Sequence, residues 1–137
     1  MRALMMSTMS AFAFALASAA TLVFTPALGD EKTTPLLHTD LQGMDGLEAN
    51  MALVEVDPGF ETEHHIHPGH VFIYMLEGAI EIDVDGQERL RVSAGEAAHE
   101  LPNSPMIGRN ASSTEGARFV VFQVGPAGEP LTVPQPE

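Results

Sequence analysis

Short segments rich in β-branched and aromatic residues recur between turn residues from Met51 to Val124, and this pattern limits what the chain can fold into. The segment Ala79–Val84 alternates apolar and acidic side chains, as a strand with one buried face does. Val71–Leu76 is a continuous apolar run of strand length, which is typical of a buried strand. No window of comparable quality has the period of a helix, so the sequence predicts an all-β sandwich or barrel.

Turn residues separate the individual strands. We expect strands over Met51–Val56, His65–His67, Val71–Leu76, Ala79–Val84, Arg89–Val92, Glu96–Leu101 and Phe119–Val124. Asp85-Gly86 predicts a two-residue hairpin in which both turn positions have positive φ.

The beginning of the chain does not resemble folded protein. Arg2 is the only charge before Asp30, Ala11–Phe24 is almost entirely apolar, and small residues precede position 30. These features are typical of a cleaved signal peptide, and the apolar run is shorter than the roughly 20 residues of a membrane-spanning helix. We therefore expect a signal peptide over residues 1–29 and a periplasmic or secreted protein. A lead-in at 30–48, a β-barrel at 49–125 and a proline-rich, irregular tail at 126–137 would follow.

Charge and cysteine content exclude several functions. The chain has 19 acidic and 6 basic side chains, a formal net charge of −13. Such a chain is repelled by nucleic acid and by anionic lipid, so neither is an expected partner. It contains no cysteine, which excludes disulfides, thiolate nucleophiles and zinc–thiolate sites. Any soft metal ligand must therefore be a methionine.

Four histidines, His64, His65, His67 and His70, fall within seven residues. On a strand, residues i and i+2 share a face and lie about 6.5–7 Å apart. His65 and His67 can therefore direct both imidazoles to one metal ion at about 2.0–2.1 Å, whereas His64 should face away. The alternative is that these are ordinary surface or core histidines. The pattern favours a metal ion on His65 and His67.

Two motifs carry a family resemblance. Gly59, followed by His65-Ile-His67 and by Gly78, resembles the first motif of the cupins. Residues 95–110 have the length and position of the second cupin motif. The chain thus resembles a small single-domain cupin, which implies a double-stranded β-helix, or jelly-roll, barrel.

The chain departs from the cupin motifs at two ligand positions. Val71 stands where the family places a glutamate, and Met106 stands where it places a third histidine. Only His65 and His67 carry over residue by residue. The resemblance implies one divalent transition metal (Fe, Mn, Ni, Zn or Cu), a small organic substrate and a possible homodimer.

Several residues are candidates to complete the ligand set. Met106 would favour copper if it is a ligand, since thioether and imidazole together suit Cu(I). The alternative is that Met106 only fills the space of the missing histidine. His70 has the wrong strand parity and would reach inward only through a bulge at Pro68-Gly69. One of His99 and Glu100 must face the interior, as a ligand, a partner of an imidazole or a general base.

Three functions follow from these residues. The first is a metalloenzyme of the dioxygenase, isomerase or decarboxylase type, with the metal on His65 and His67 and with Tyr74 or Glu100 nearby as catalytic residues. The second is a non-enzymatic copper-binding protein using Met106 with the two histidines. The third is a cupin that binds a ligand without any metal.

Overall fold

The computed structural model describes residues 29–135, and within that range every regular element is a strand. The ten strands are β1 (Glu31–Asp40), β2 (Leu47–Val56), β3 (His65–Ile66), β4 (His70–Glu77), β5 (Ala79–Val84), β6 (Leu90–Ser93), β7 (Ala97–Glu100), β8 (Met106–Asn110), β9 (Ala117–Pro126) and β10 (Val133–Pro134). The all-β prediction is confirmed. The predicted signal peptide, apart from Gly29, lies outside the described residues. Among the described residues, no helix of a length and apolarity that would cross a membrane occurs.

The strands form two five-stranded antiparallel sheets. One sheet has the order β1-β2-β9-β4-β7 and the other β10-β3-β8-β5-β6. From β2 onward the chain passes back and forth between the sheets, apart from the β5–β6 hairpin, in the manner of a jelly roll. The two inner faces therefore enclose one core. The largest fully buried side chains are Met75, Ile82, Met106, Val71 and Val92.

The structure extends the predicted strands and adds three. β5 has the predicted bounds, whereas β2 and β9 are each longer than predicted. β1 pairs along the whole of β2 and lies within the segment expected to be a lead-in. Nine of its ten side chains are exposed, so no burial alternation marked it in the sequence. The missed strands β8 and β10 are short and contain glycine or proline.

The expected hairpin at Asp85-Gly86 is wrong in detail. Pairing of β5 with β6 ends at Ile82 and Leu90, so the connection is longer than two residues. Among the described residues of this turn only Gly86 has positive φ, at 74°. The turn is closed instead by a hydrogen bond from Gln87 N to Val84 O at 3.0 Å.

The backbone at Gly69, just before β4, lies against the backbone at Gly125 near the end of β9. A Cβ atom on Gly69 would lie 2.3 Å from Val124 O and 2.6 Å from Gly125 Cα. Only hydrogen fits there, so the two backbones can approach each other next to His67. This contact fixes where the chain leaves the histidine segment and enters β4.

We predict that Gly69→Ala destabilises the fold by about 3 kcal/mol, since the added methyl group meets backbone atoms that cannot rotate away. Urea unfolding measures this change. Gly108→Ala is the matched control, because its Cβ would meet only Thr62 side-chain atoms, at 3.7 Å or more. Equal effects of the two substitutions would contradict the backbone contact.

Candidate functional site

A cavity of about 520 Å³ opens between the two sheets. Its walls are mainly apolar and come from both inner faces; the lining includes Ala52, Val54, Val56, Val71, Ile73, Ile80, Ile82, Met106, Phe119 and Val121. A few polar side chains interrupt these walls, among them His65, His67, Glu100 and Gln123. An apolar pocket with a few convergent polar groups is the usual form of a small-molecule site.

Both histidines of the His65-Ile66-His67 segment line this cavity. His65 lies in β3 and is 6% exposed, and His67 directly follows the strand with its side chain 12% exposed. Their ring centroids are 4.9 Å apart, with the rings nearly perpendicular at 84°. The i and i+2 spacing thus brings both imidazoles into one part of the cavity, although β3 itself is only two residues long.

Backbone carbonyls determine the orientation of the two rings. His65 Nδ1 lies 2.8 Å from Glu63 O, and His67 Nδ1 lies 2.7 Å from Leu131 O. A carbonyl oxygen can only accept, so each Nδ1 donates, and in a neutral ring Nε2 then carries the free lone pair. Leu131 belongs to the tail that was expected to be irregular, yet this tail also pairs β10 with β3.

Burial lowers the pKa of His67, and the positive charge of a protonated His65 would lower it further, while the hydrogen bond to Leu131 opposes both effects. The imidazole of His67 is therefore neutral at neutral pH. Its Nε2 atom is available as an acceptor or as a metal ligand.

Glu100 is the inward-facing residue of the pair His99-Glu100. It is 7% exposed, and burial raises its pKa from 4.5 to about 7. Its Oε2 atom lies 3.4 Å from His67 Nε2, which is long for a direct hydrogen bond. Both atoms are acceptors when Glu100 is ionised, so this contact needs a proton or a cation between them.

Glu100 lies directly opposite Val71 in the β4–β7 pair. Opposed residues on antiparallel strands present their side chains to the same face of the sheet. Val71 occupies the position of the cupin motif glutamate, and it is 1% exposed on the inner face. The chain therefore has no carboxylate at the motif position but has one on the neighbouring strand in the same layer.

Met106 lies directly opposite His65 in the β3–β8 pair. It is 1% exposed and lines the cavity beside the histidines. Its thioether is therefore on the same side of the sheet as the imidazole of His65.

The structure places His70, His99 and Tyr74 on the outer face of their sheet, away from the cavity lining. His70 Nδ1 lies 2.9 Å from His99 Nε2, and Phe72 stacks on the His99 ring at 4.6 Å. Tyr74 is 49% exposed. The expectations that Tyr74 lies near the metal site and that either surface histidine reaches it are corrected, because these residues have the opposite parity to Val71 and Glu100.

Within residues 29–135, no three or more His, Asp or Glu side chains form a preformed group that could hold a metal ion. The arrangement that is present consists of two imidazoles from the His65–His67 segment, one thioether on the neighbouring strand β8, and one carboxylate on β7 of the facing sheet. An ion bound by His65 and His67 would need a further ligand from water or from small movements of Glu100 or Met106.

Comparison with known proteins agrees with the motifs. The cupin domain profile matches residues 52–122, which is more than half of the chain. The chain belongs to the cupin family. No curated protein matches the sequence significantly.

Several solved structures share the fold. A double-stranded β-helix protein from Klebsiella pneumoniae is 20% identical, with a TM-score of 0.61 over 82% of this chain and 90% of that one. A cupin-like protein from Thermotoga maritima is 19% identical, with a TM-score of 0.58 over 74% of this chain and 78% of that one. The DMSP lyase DddQ from Ruegeria pomeroyi is 20% identical, with a TM-score of 0.60 over 77% of this chain but only 51% of its own. At these identities the likeness concerns the fold alone.

Gln123 is a cavity residue of this cupin that the sequence reasoning missed. It lies opposite Val71 in the β4–β9 pair, so Gln123, Val71 and Glu100 form one row across three strands. A signal was present in the sequence, since Phe119, Val121 and Gln123 share one parity of an otherwise apolar strand. A polar residue on the inner face of such a strand is uncommon, and this makes Gln123 a candidate site residue.

We predict that Glu100→Gln makes the chelator-treated cupin more stable than wild type at about pH 8, by about 3 kcal/mol. The folded state holds the Glu100 proton up to a pKa of about 7, against 4.5 for an ordinary glutamate. Wild-type stability therefore falls as the pH rises from 4.5 through 7, and the uncharged amide avoids this loss. Urea unfolding across that range measures the difference.

The exposed Glu88→Gln variant is the matched control, because it removes a carboxylate without removing a buried one. A Glu100→Gln variant that is less stable than wild type at alkaline pH would contradict the burial of a carboxyl group at this position.

Proposed function

We propose that this cupin binds one transition-metal ion through Nε2 of His65 and Nε2 of His67, and that the cavity around the ion acts on a small organic molecule. The signal-peptide pattern of residues 1–29 supports a periplasmic or secreted site of action. The observation that carries the proposal is the pair of Nδ1 hydrogen bonds to the carbonyls of Glu63 and Leu131. Such bonds to the far side of the ring are the usual support of metal-binding histidines.

The spacing of the donor atoms supports the same reading. Two ligands at about 2.1 Å from a tetrahedral ion are about 3.4 Å apart. His67 Nε2 and Glu100 Oε2 are separated by 3.4 Å, too far for a good hydrogen bond but suited to a shared ion. Glu100 would then supply the carboxylate that the cupin motif lacks at Val71.

A bound metal would supply a Lewis acid, or a centre for oxygen activation, next to a cavity with mainly apolar walls. The chain itself would orient the substrate against the apolar walls from both sheets. When it is not a ligand, Glu100 can hold or release a proton at Oε2, since burial raises its pKa to about 7. These roles are those of a small-molecule enzyme of the dioxygenase, isomerase or decarboxylase type, and a DMSP lyase among the structural neighbours shows that the fold can host small-molecule chemistry.

We predict that the double variant His65→Ala/His67→Ala loses stoichiometric metal, whereas wild type retains about one equivalent. Chelator-treated protein is loaded separately with Zn(II), Ni(II), Mn(II), Fe(II) and Cu(II), dialysed against a weak chelator and analysed by elemental mass spectrometry. Glu100→Gln should lower the affinity for the metal by about tenfold, because it removes one anionic ligand.

The matched control is His70→Ala/His99→Ala, which removes two histidines that lie close together on the outer face. This variant should retain metal as wild type does. Full retention in the His65→Ala/His67→Ala variant, or full loss in the surface variant, would contradict the assignment.

A second candidate function is copper binding without catalysis, and the position of Met106 opposite His65 favours it. Two imidazoles and a thioether are a ligand set that suits Cu(I). A chain without cysteine can hold copper in an oxidising compartment without thiol chemistry.

We predict for this candidate that Met106→Leu lowers the Cu(I) affinity by about tenfold or more and leaves Zn(II) affinity unchanged, because only Cu(I) prefers the soft sulfur. Competition with a colorimetric Cu(I) chelator measures it. Met75→Leu is the control, since Met75 is equally buried but does not line the cavity. An unchanged Cu(I) affinity in Met106→Leu removes the copper candidate.

A further inference from the structure

The side-chain amide of Gln123 is buried without a partner. Gln123 is 4% exposed, and its Oε1 atom has no hydrogen bond to any described residue. Of the described buried side-chain atoms in this condition, only Gln123 Oε1 belongs to a residue that lines the main cavity. An acceptor left without a partner costs about 1–3 kcal/mol, so its retention points to a partner that binds there.

The position of Gln123 separates it from the proposed metal ligands. Val71 lies between Gln123 and Glu100 in the row across β9, β4 and β7. Neighbouring strands are about 4.8 Å apart, so Gln123 and Glu100 are two strand spacings from each other. A small molecule held near Glu100 and His67 could therefore extend across Val71 and place a second group at Gln123.

The outer part of the cavity is acidic. Glu31, Glu61 and Glu63 line it and are exposed to solvent. Its only basic residue among those described is Arg109, whose guanidinium is already bound to Glu61 at 3.0 Å and to Asp83. No described lysine or arginine is therefore free to hold a ligand carboxylate or phosphate, and the field of the glutamates repels anions.

We propose that the cavity selects small, largely apolar molecules with an uncharged or cationic hydrogen-bond donor, a hydroxyl or an amine, which binds Gln123 Oε1. This inference rests on the proposed function in taking the same cavity as the substrate site. The apolar walls bind the body of the molecule, Gln123 binds the donor, and the glutamates disfavour acidic analogues. The amide thus acts as a specificity residue for a substrate that is not a carboxylate.

The test uses probes with one skeleton and different head groups: 2-phenylethylamine, 2-phenylethanol, phenylacetate and, without a head group, ethylbenzene. Binding to the chelator-treated full-length chain at neutral pH is followed by NMR titration, so that no bound ion can hold the phenylacetate carboxylate. We predict that the amine and the alcohol bind about tenfold more tightly than phenylacetate. Gln123→Met should lower the affinity for the amine and the alcohol about tenfold, the value of one hydrogen bond. The affinity for ethylbenzene should not change.

Gln123→Glu distinguishes an accepting amide from a donating one. It keeps the acceptor and adds a negative charge, so amine binding should be kept or strengthened while phenylacetate binding weakens further. Loss of amine binding in Gln123→Glu would mean that the amide donates, and it would overturn the proposal. So would tighter binding of phenylacetate than of the amine, an unchanged affinity in Gln123→Met, or no binding of any probe at millimolar concentration.

The same probes separate this inference from the metal proposal. Chelator-treated wild type should keep the preference for amine over phenylacetate, because that preference comes from Gln123 and the glutamates. If wild type holds no metal but keeps the preference, the metal proposal fails and the inference stands. If metal is held but the preference is absent, the inference fails and the metal proposal stands.

Discussion

The period-two alternation of side chains in two facing antiparallel sheets decides the position of every candidate functional residue in this protein. β4 alternates strictly, with Val71, Ile73 and Met75 inward and with Phe72 and Tyr74 among its outward residues. Because opposed residues of paired strands share a face, the parity of one strand is passed to its neighbours through the hydrogen-bonded register. Glu100 and Gln123 are in the cavity for the same reason that Val71 is.

The polar groups inside the barrel differ in whether they have hydrogen-bond partners. A buried polar atom needs a partner, and His65 and His67 find one each in a backbone carbonyl. Of the remaining groups, His67 Nε2 and Glu100 Oε2 lie 3.4 Å apart, and Gln123 Oε1 has no hydrogen-bond partner within the described residues. Residues with these acceptor atoms in the lining of a cavity are suited to receive protons, a cation or donor groups of a ligand.

The strand register shows what lies opposite each position at which the chain departs from the cupin motif. The sequence shows a lost glutamate at Val71 and a lost histidine at Met106. In the fold, each position lies opposite another site residue: Val71 opposite Glu100, and Met106 opposite His65. A ligand lost from one strand can be replaced from its neighbour because both side chains enter the same layer of the barrel. The substitution at Val71 thus changes which strand supplies the carboxylate.

The sequence alone determined the all-β class, the cupin family and the His65–His67 pair, since these depend on local alternation and on motif spacing. It indicated that His70 faces outward, but it could not determine whether His99 or Glu100 faces inward, or that Tyr74 lies outside, because parity requires the register to a neighbouring strand. It also did not identify β1, whose side chains are largely exposed, or the use of Leu131 O by His67 across 64 positions of sequence. Only the tertiary structure brings such distant groups together, because long-range strand pairing, rather than local propensity, sets the neighbours of a side chain in a sheet.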